Sequence, residues 1–201
     1  MSTASHFQPI SVRDYLDGER TAKHKHEYVN GVVYAMVGET NLHNRIATNA
    51  TGALGGLLRG KPCQVFNSDT KIRIRQAQGT RFYYPDASVV CHRNASDETF
   101  QDSPVVVIEV ISESTRRTDE YEKREAYLGI DSLCVYILAE QASAAAIVYR
   151  RLDSGFGRET YLGRDAVISL PEITCTLPLA ELYEDVEFPE PVSDDETGEW
   201  L

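Results

Sequence analysis

Pro104-Val-Val-Val-Ile-Glu-Val-Ile111 is an unbroken apolar run with one carboxylate set inside it, at Glu109. Eight residues this rich in β-branched side chains read as a strand buried on both faces in the middle of a sheet. Upstream, Tyr84-Pro-Asp-Ala-Ser-Val-Val90 brings a second carboxylate, Asp86, to the head of another apolar run. Downstream, Asp119 to Leu128 is helical and charged, and Leu133 to Ala139 is again continuously apolar. Strand, helix, strand predicts a right-handed parallel crossover. The fold class that follows is α/β, with a central mixed sheet flanked by helices.

Working toward the N-terminus, Phe82 to Cys91, Lys71 to Arg75 and Gln64 to Phe66 read as further strands of the same sheet. Leu42, Ile46, Ala50, Ala53, Leu54, Leu57 and Leu58 recur at spacings of three and four, which predicts an amphipathic helix over Asn41 to Leu58, weakened by three glycines. Before it, Asn30-Gly31 joins two short strand-like runs as a hairpin. Ser11-Val-Arg-Asp14 resembles a capping box with Asp in place of Glu and starts a helix over Val12 to Asp17. Toward the C-terminus, Ala145 to Arg151 and Glu159 to Leu162 form a meander, and Leu177 to Tyr183 reads as a last short helix.

The 201 residues, 42% hydrophobic and 25% charged, suit one globular domain over residues 1–184 with an acidic tail over residues 185–201. Glu184, Asp185, Glu187, Glu190, Asp194, Asp195, Glu196 and Glu199 supply most of the formal charge of −11 and leave −3 for the rest. That balance argues against tight, nonspecific DNA binding, which needs a basic face. No apolar run approaches the roughly 20 residues of a membrane helix, and the polar N-terminus carries no secretory signal, so the expected location is cytoplasmic. Cys63, Cys91, Cys134 and Cys175 lie far apart without a CxxC pair; they are expected to be small buried hydrophobes in a reducing compartment.

A carboxylate in the middle of a buried strand requires a proton, a cation or a metal to offset its desolvation. Glu109 is either such a group or a strand-end glutamate that points to solvent or pairs with arginine. Asp86, entering a neighbouring strand, favours the former: two carboxylates on adjacent strands make a hard-oxygen pocket suited to Mg²⁺ or Mn²⁺.

Tyr84-Pro-Asp-Ala-Ser-Val-Val90, Pro104 to Ser112, Ser114-Thr115, Asp119, Lys123, Tyr127, and Ser132-Leu with Tyr136-Ile-Leu, taken in this order, resemble the Uma-type restriction endonuclease family within the PD-(D/E)xK nuclease superfamily. Glu27, the Asn30-Gly31 turn and His43 extend the likeness through most of the chain. The resemblance implies a restriction-endonuclease-like core, a metal held by Asp86, Glu109 and the Val110 carbonyl, and a homodimer acting on nucleic acid, taken as DNA. Two residues after Glu109 stands Ile111 where the superfamily carries lysine; the resemblance implies Lys123, on the following helix, as its replacement. Asp119, Lys123 and Tyr127 at i, i+4 and i+8 share one helical face. Lys123 is otherwise a surface ion-pair residue beside Asp119.

Other residues carry paired readings. Glu27 is a third metal carboxylate or an exposed strand-end residue. His43 is a phosphate contact or a helix-entry histidine. Lys23, His24, Lys25 and His26 form a basic patch or a solvated loop. Lys71, Arg73 and Arg75 alternate with Ile72 and Ile74, either to track a nucleic-acid backbone or as an ordinary amphipathic strand. Ser112, Ser114 and Thr115 cap the next helix and are not nucleophiles. The functional expectation is a metal-dependent endonuclease; the alternatives are a nuclease-fold protein without catalysis that binds nucleic acid, and a regulatory dimer. Phe82, Tyr83 and Tyr84 are the surface expected to meet a second copy.

Overall fold

The computed structural model of the protein describes residues 8–188. Ser11 caps the first helix, α1 (Val12–Glu19): its Oγ accepts from the Asp14 N–H at 3.1 Å and donates to the Asp14 carboxylate at 2.7 Å. The hairpin β1 (His26–Val29) and β2 (Val32–Ala35) turns on Asn30 and Gly31, both at positive φ, 50° and 98°. A side chain at Gly31 would also collide with Pro9. Thr40 caps α2 (Asn41–Leu57), which buries Ile46, Ala50 and Leu54 on one face; this burial holds the helix through its three glycines.

Then follow β3 (Gln64–Asn67), β4 (Lys71–Gln76), β5 (Gly79–Tyr83), β6 (Ala87–Val90), β7 (Phe100–Gln101) and β8 (Pro104–Ile111). A π-helical turn, Thr118–Lys123, runs into α3 (Arg124–Leu128). The chain continues through β9 (Val135–Glu140), β10 (Ala145–Leu152), β11 (Gly155–Leu162), β12 (Val167–Leu170), β13 (Cys175–Pro178) and α4 (Leu179–Leu182). The expected helix over Leu177 to Tyr183 is thus a strand end and a single turn.

The larger sheet has the order β11-β10-β9-β8-β6-β3, with β8 and β9 parallel as the crossover required and Glu109 opposite Leu138. The smaller sheet has the order β2-β1-β5-β4-β7. One predicted sheet is therefore two, and the predicted strand over Phe82 to Cys91 is divided between them. Pro85 is the reason: it has no N–H for a ladder and disfavours regular pairing at a central strand, so the chain leaves the smaller sheet at Tyr83 and enters the larger one at Ala87. Asp86 sits at the crossing.

Alternation along β8 sorts its side chains. Val106, Ile108 and Val110 pack with Ile46, Leu54, Leu179 and Leu182. Val107 and Ile111 pack with Ile72, Tyr83, Tyr127 and Tyr136, between the two sheets and α3. Glu109 shares this second face, where an uncompensated carboxylate is most costly.

Three expectations are corrected. Phe82, Tyr83 and Tyr84 are buried, so they leave no apolar face for a second copy. Cys63 and Cys91 are joined in a disulfide. The β3–β6 register sets Gln64 against Val90, which brings the two flanking cysteines together from 28 residues apart. Finally, the packed chain continues past residue 184: Val186 is buried, the Phe188 ring lies 5.4 Å from that of Tyr183, and Arg164 donates to the carbonyls of Tyr183 and Val186. Of the acidic tail, residues 189–201 lie outside the described residues. Among the described residues no helix is long and apolar enough to cross a membrane.

Candidate active site

Where the two sheets part, a cleft of about 700 Å³ opens onto Glu27, Asp86, Glu109, Asp119 and Lys123. Four separate elements deliver these groups: the hairpin, the Pro85 crossing, the central strand and the π-helical turn.

Asp86 is fixed from two sides. Its Oδ1 lies 2.9 Å from His43 Nε2, and its Oδ2 accepts the Val110 N–H at 2.7 Å. Its own N–H donates to Glu109 Oε2 at 3.3 Å, so the two acidic residues are locked to each other through the backbone. Glu109 Oε1 accepts the Tyr127 hydroxyl at 3.2 Å. Burial drives the Glu109 carboxyl well above the usual carboxylate range; Lys123 pulls it back, and Asp119, Asp86 and Glu27 push it up again. Asp119 is raised for the same first reason, burial, against the pull of Lys123.

Lys123 is the hub. Its Nζ lies 3.1 Å from Glu27, 3.5 Å from Asp119 and 3.6 Å from Glu109. Burial by itself would lower the pKa of this ammonium, but Glu109, Glu27 and Asp119 reverse the effect and hold the proton in place. The ion pair with Asp119 exists, yet inside the protein and not on its surface. It forms on a π-helical turn, a local widening of the helix that recurs at functional sites.

The donor set fits a hard divalent cation. Glu27, Glu109 and Asp119 gather around the Lys123 ammonium, with Asp86 joined to Glu109, so carboxylates outnumber the one ammonium among them in a poorly solvated place. The sheet also exposes a backbone acceptor beside them. On its β9 side β8 uses the carbonyls of Val105 and Ile111, so by alternation Val110 faces β6. The β6–β8 register, continued two places beyond Ala87 and Ile108, sets Pro85 against Val110, and proline has no N–H to give. Asp86, Glu109 and the Val110 carbonyl are then the groups that would hold the ion. Among the described residues no three His, Cys, Asp or Glu side chains form a preformed metal cage. Mg²⁺, which keeps several of its waters, needs none.

Other sequence candidates fall elsewhere. His43 is buried behind Asp86 and positions it, with its Nδ1 3.8 Å from Glu39 and otherwise without a partner. Burial lowers the pKa of its ring, but the bond and charge of Asp86, with the charges of Glu39 and Asp119, together reverse this and the net direction is upward. Lys71 and Arg73 are corrected as strand-tracking contacts: Lys71 is buried on the Tyr84 hydroxyl at 3.1 Å, and Arg73 is clamped to both oxygens of Asp102 at 2.6 Å. Arg75 alone of the three is exposed. Ser112 and Thr115 bond each other's N–H groups in the turn before the helix, as expected of caps. Asp119 as part of the carboxylate cluster, and His43 as the partner of Asp86, were not assigned from the sequence; the only signal for Asp119 was its spacing from Lys123.

These features define a class. The fold is that of restriction-endonuclease-like nucleases: a structure titled a putative nuclease belonging to DUF820, from Anabaena variabilis, superposes with a TM-score of 0.65 at 18% identity, covering 83% of this chain and 96% of that one. The chain belongs to the Uma2 family, described as "Putative restriction endonuclease", whose profile matches residues 12–180. It is also 33% identical over 155 residues to the uncharacterized protein slr1290 of Synechocystis sp., covering 77% of this chain and 80% of that protein. A second uncharacterized Synechocystis protein, sll1609, is 26% identical over 135 residues, 66% of this chain and 75% of its own length.

Proposed function

We propose that the chain is a metal-dependent endonuclease that hydrolyses phosphodiester bonds in nucleic acid. One observation carries the reading: Asp86, Glu109 and Lys123, from three different elements, converge in one cleft, where more carboxylates surround the Lys123 ammonium than it offsets. Bound there, Mg²⁺ or Mn²⁺ would supply Lewis acidity, activating water at neutral pH and neutralising charge on the phosphoryl group.

The chain's own residues do the rest. Asp86 and Glu109 are ligands and not proton donors; His43 and Tyr127 fix the direction of their lone pairs. Lys123 keeps its proton and donates to the attacking water or to a non-bridging phosphate oxygen, where charge builds up as the new P–O bond forms and the old one breaks. Glu27 and Asp119 hold the ammonium in place. The resemblance to the family implies a homodimer as the acting form, and light scattering tests it.

The test is cleavage of DNA and RNA substrates with Mn²⁺ or Mg²⁺, with and without a chelator, alongside Asp86→Asn. The reading expects metal-dependent cleavage that Asp86→Asn abolishes, together with calorimetric loss of one metal site. Equal metal binding and equal cutting by the two proteins would overturn it.

A further inference from the structure

We propose that Tyr34 is a stacking platform for an unpaired base, and that the substrate of the cleft is single-stranded nucleic acid whose backbone meets Lys23 and His24. The inference rests on the nuclease reading above and names its substrate class.

Position comes first. In the β1–β2 hairpin Tyr34 is the direct cross-strand partner of Glu27, so the two side chains stand on the same face, and Glu27 is the residue 3.1 Å from Lys123. The next pair, Tyr28 and Val33, points the other way, into the cluster of Tyr15, Phe82 and Phe100. The hairpin thus has a packing face and a cleft face, and Tyr34 lies on the latter. Its side chain has no structural task there: it is 53% exposed and belongs to none of the three hydrophobic clusters. A large aromatic ring held open on the wall of a charged cleft, beside a candidate catalytic carboxylate, is suited to the face of a base.

Charge then decides between duplex and single strand. A duplex-tracking surface needs many phosphate contacts, and the lining of the cleft offers few free cations. Lys71 and Arg73 are consumed internally, Lys25 is tied to Asp69 at 2.6 Å, and Lys123 serves the carboxylates. Lys23 and His24 are the exposed basic residues lining the cleft, and neither enters an ion pair among the described residues. One ammonium and one imidazole able to donate a hydrogen bond are enough for a short stretch of backbone. The remaining affinity must come from a sequence-tolerant contact, and stacking on Tyr34 provides one only if the base has left its helix.

The experiment is a fluorescence anisotropy titration of a labelled strand of about 16 nucleotides, and of the same strand annealed to its complement. It is run in chelator and, in parallel, in Ca²⁺. Wild type is expected to bind the single strand more tightly than the duplex. Tyr34→Ala should weaken single-strand binding by about 5- to 150-fold, the cost of one lost stack, and Tyr34→Phe should restore it. Lys23→Ala should flatten the log–log salt slope by about 0.7 for one phosphate contact. Tyr34→Ala binding as wild type, or wild type preferring duplex, would overturn the inference while leaving metal-dependent cleavage untouched. If wild type binds neither nucleic acid in either buffer, the nuclease reading falls with it.

Discussion

His43 Nε2 stands 2.9 Å from Asp86 Oδ1, and it reaches that carboxylate from the first turn of a helix that begins 45 residues before it. The histidine is buried, so its contribution is to orient Asp86 and not to touch substrate. Removing such a partner typically costs 10–100-fold in metal affinity or activity. His43→Ala should therefore weaken Mn²⁺ binding by about that factor in calorimetry and lower kcat in parallel, with His43→Gln recovering part of both. Unchanged affinity in His43→Ala would show that Asp86 is held by the Val110 N–H alone.

Lys123→Ala should abolish cleavage and leave metal binding intact, because the ammonium acts on water and phosphate and is not a ligand. Lys123→Arg should also be poor, since a planar guanidinium does not replace a compact ammonium between Glu27, Asp119 and Glu109. The alanine variant leaves the buried Glu109 and Asp119 and the part-buried Glu27 uncompensated, so urea unfolding without metal should show a loss of about 3–5 kcal/mol. Added Mg²⁺ should restore part of it. Cleavage at the wild-type rate by Lys123→Ala would remove the residue from the chemistry.

Asp102 gives a pH signature independent of the active site. Burial alone would raise its carboxyl, but the two bonds from Arg73 and one from Asn94 hold it below the usual carboxylate range. A depressed folded pKa contributes stability above the unfolded value, and that contribution is lost as pH falls through the folded one. The partly buried clamp is worth on the order of 1 kcal/mol. Urea midpoints should show Asp102→Asn less stable than wild type at pH 7 and converging with it below the ordinary carboxylate range. A gap that does not change with pH would assign the loss to packing.

Truncation after Glu184 should destabilise the protein, because it removes Val186, which is buried, and Phe188, which packs on Tyr183. Burying one such side chain contributes about 1.5–3 kcal/mol. Truncation after Phe188 should preserve the thermal midpoint. If the two truncations melt together, the segment from Asp185 to Phe188 contributes nothing.

The amino-acid sequence by itself determined the central strand, its parallel neighbour, the hairpin and the capped helices, because each rests on local periodicity or on turn chemistry. It also marked Asp86 and Glu109, since a carboxylate in or at the head of an apolar run is anomalous wherever the run folds, while Lys123 was implied by the family resemblance. What it did not contain was the partition of strands between two sheets. A proline that breaks a ladder says where pairing stops, but not which sheet the chain joins next. That partition alone sets Glu27 beside Lys123, Tyr34 on the cleft wall, and His43 behind Asp86 from 43 residues away. For the same reason the sequence leaves two readings open for the basic strand. Lys71, Arg73 and Arg75 look alike in sequence, and only the packed structure shows that Tyr84 and Asp102 have already taken the first two. Ion pairing and disulfide pairing depend on distances between segments remote in the chain, and only tertiary packing sets those distances.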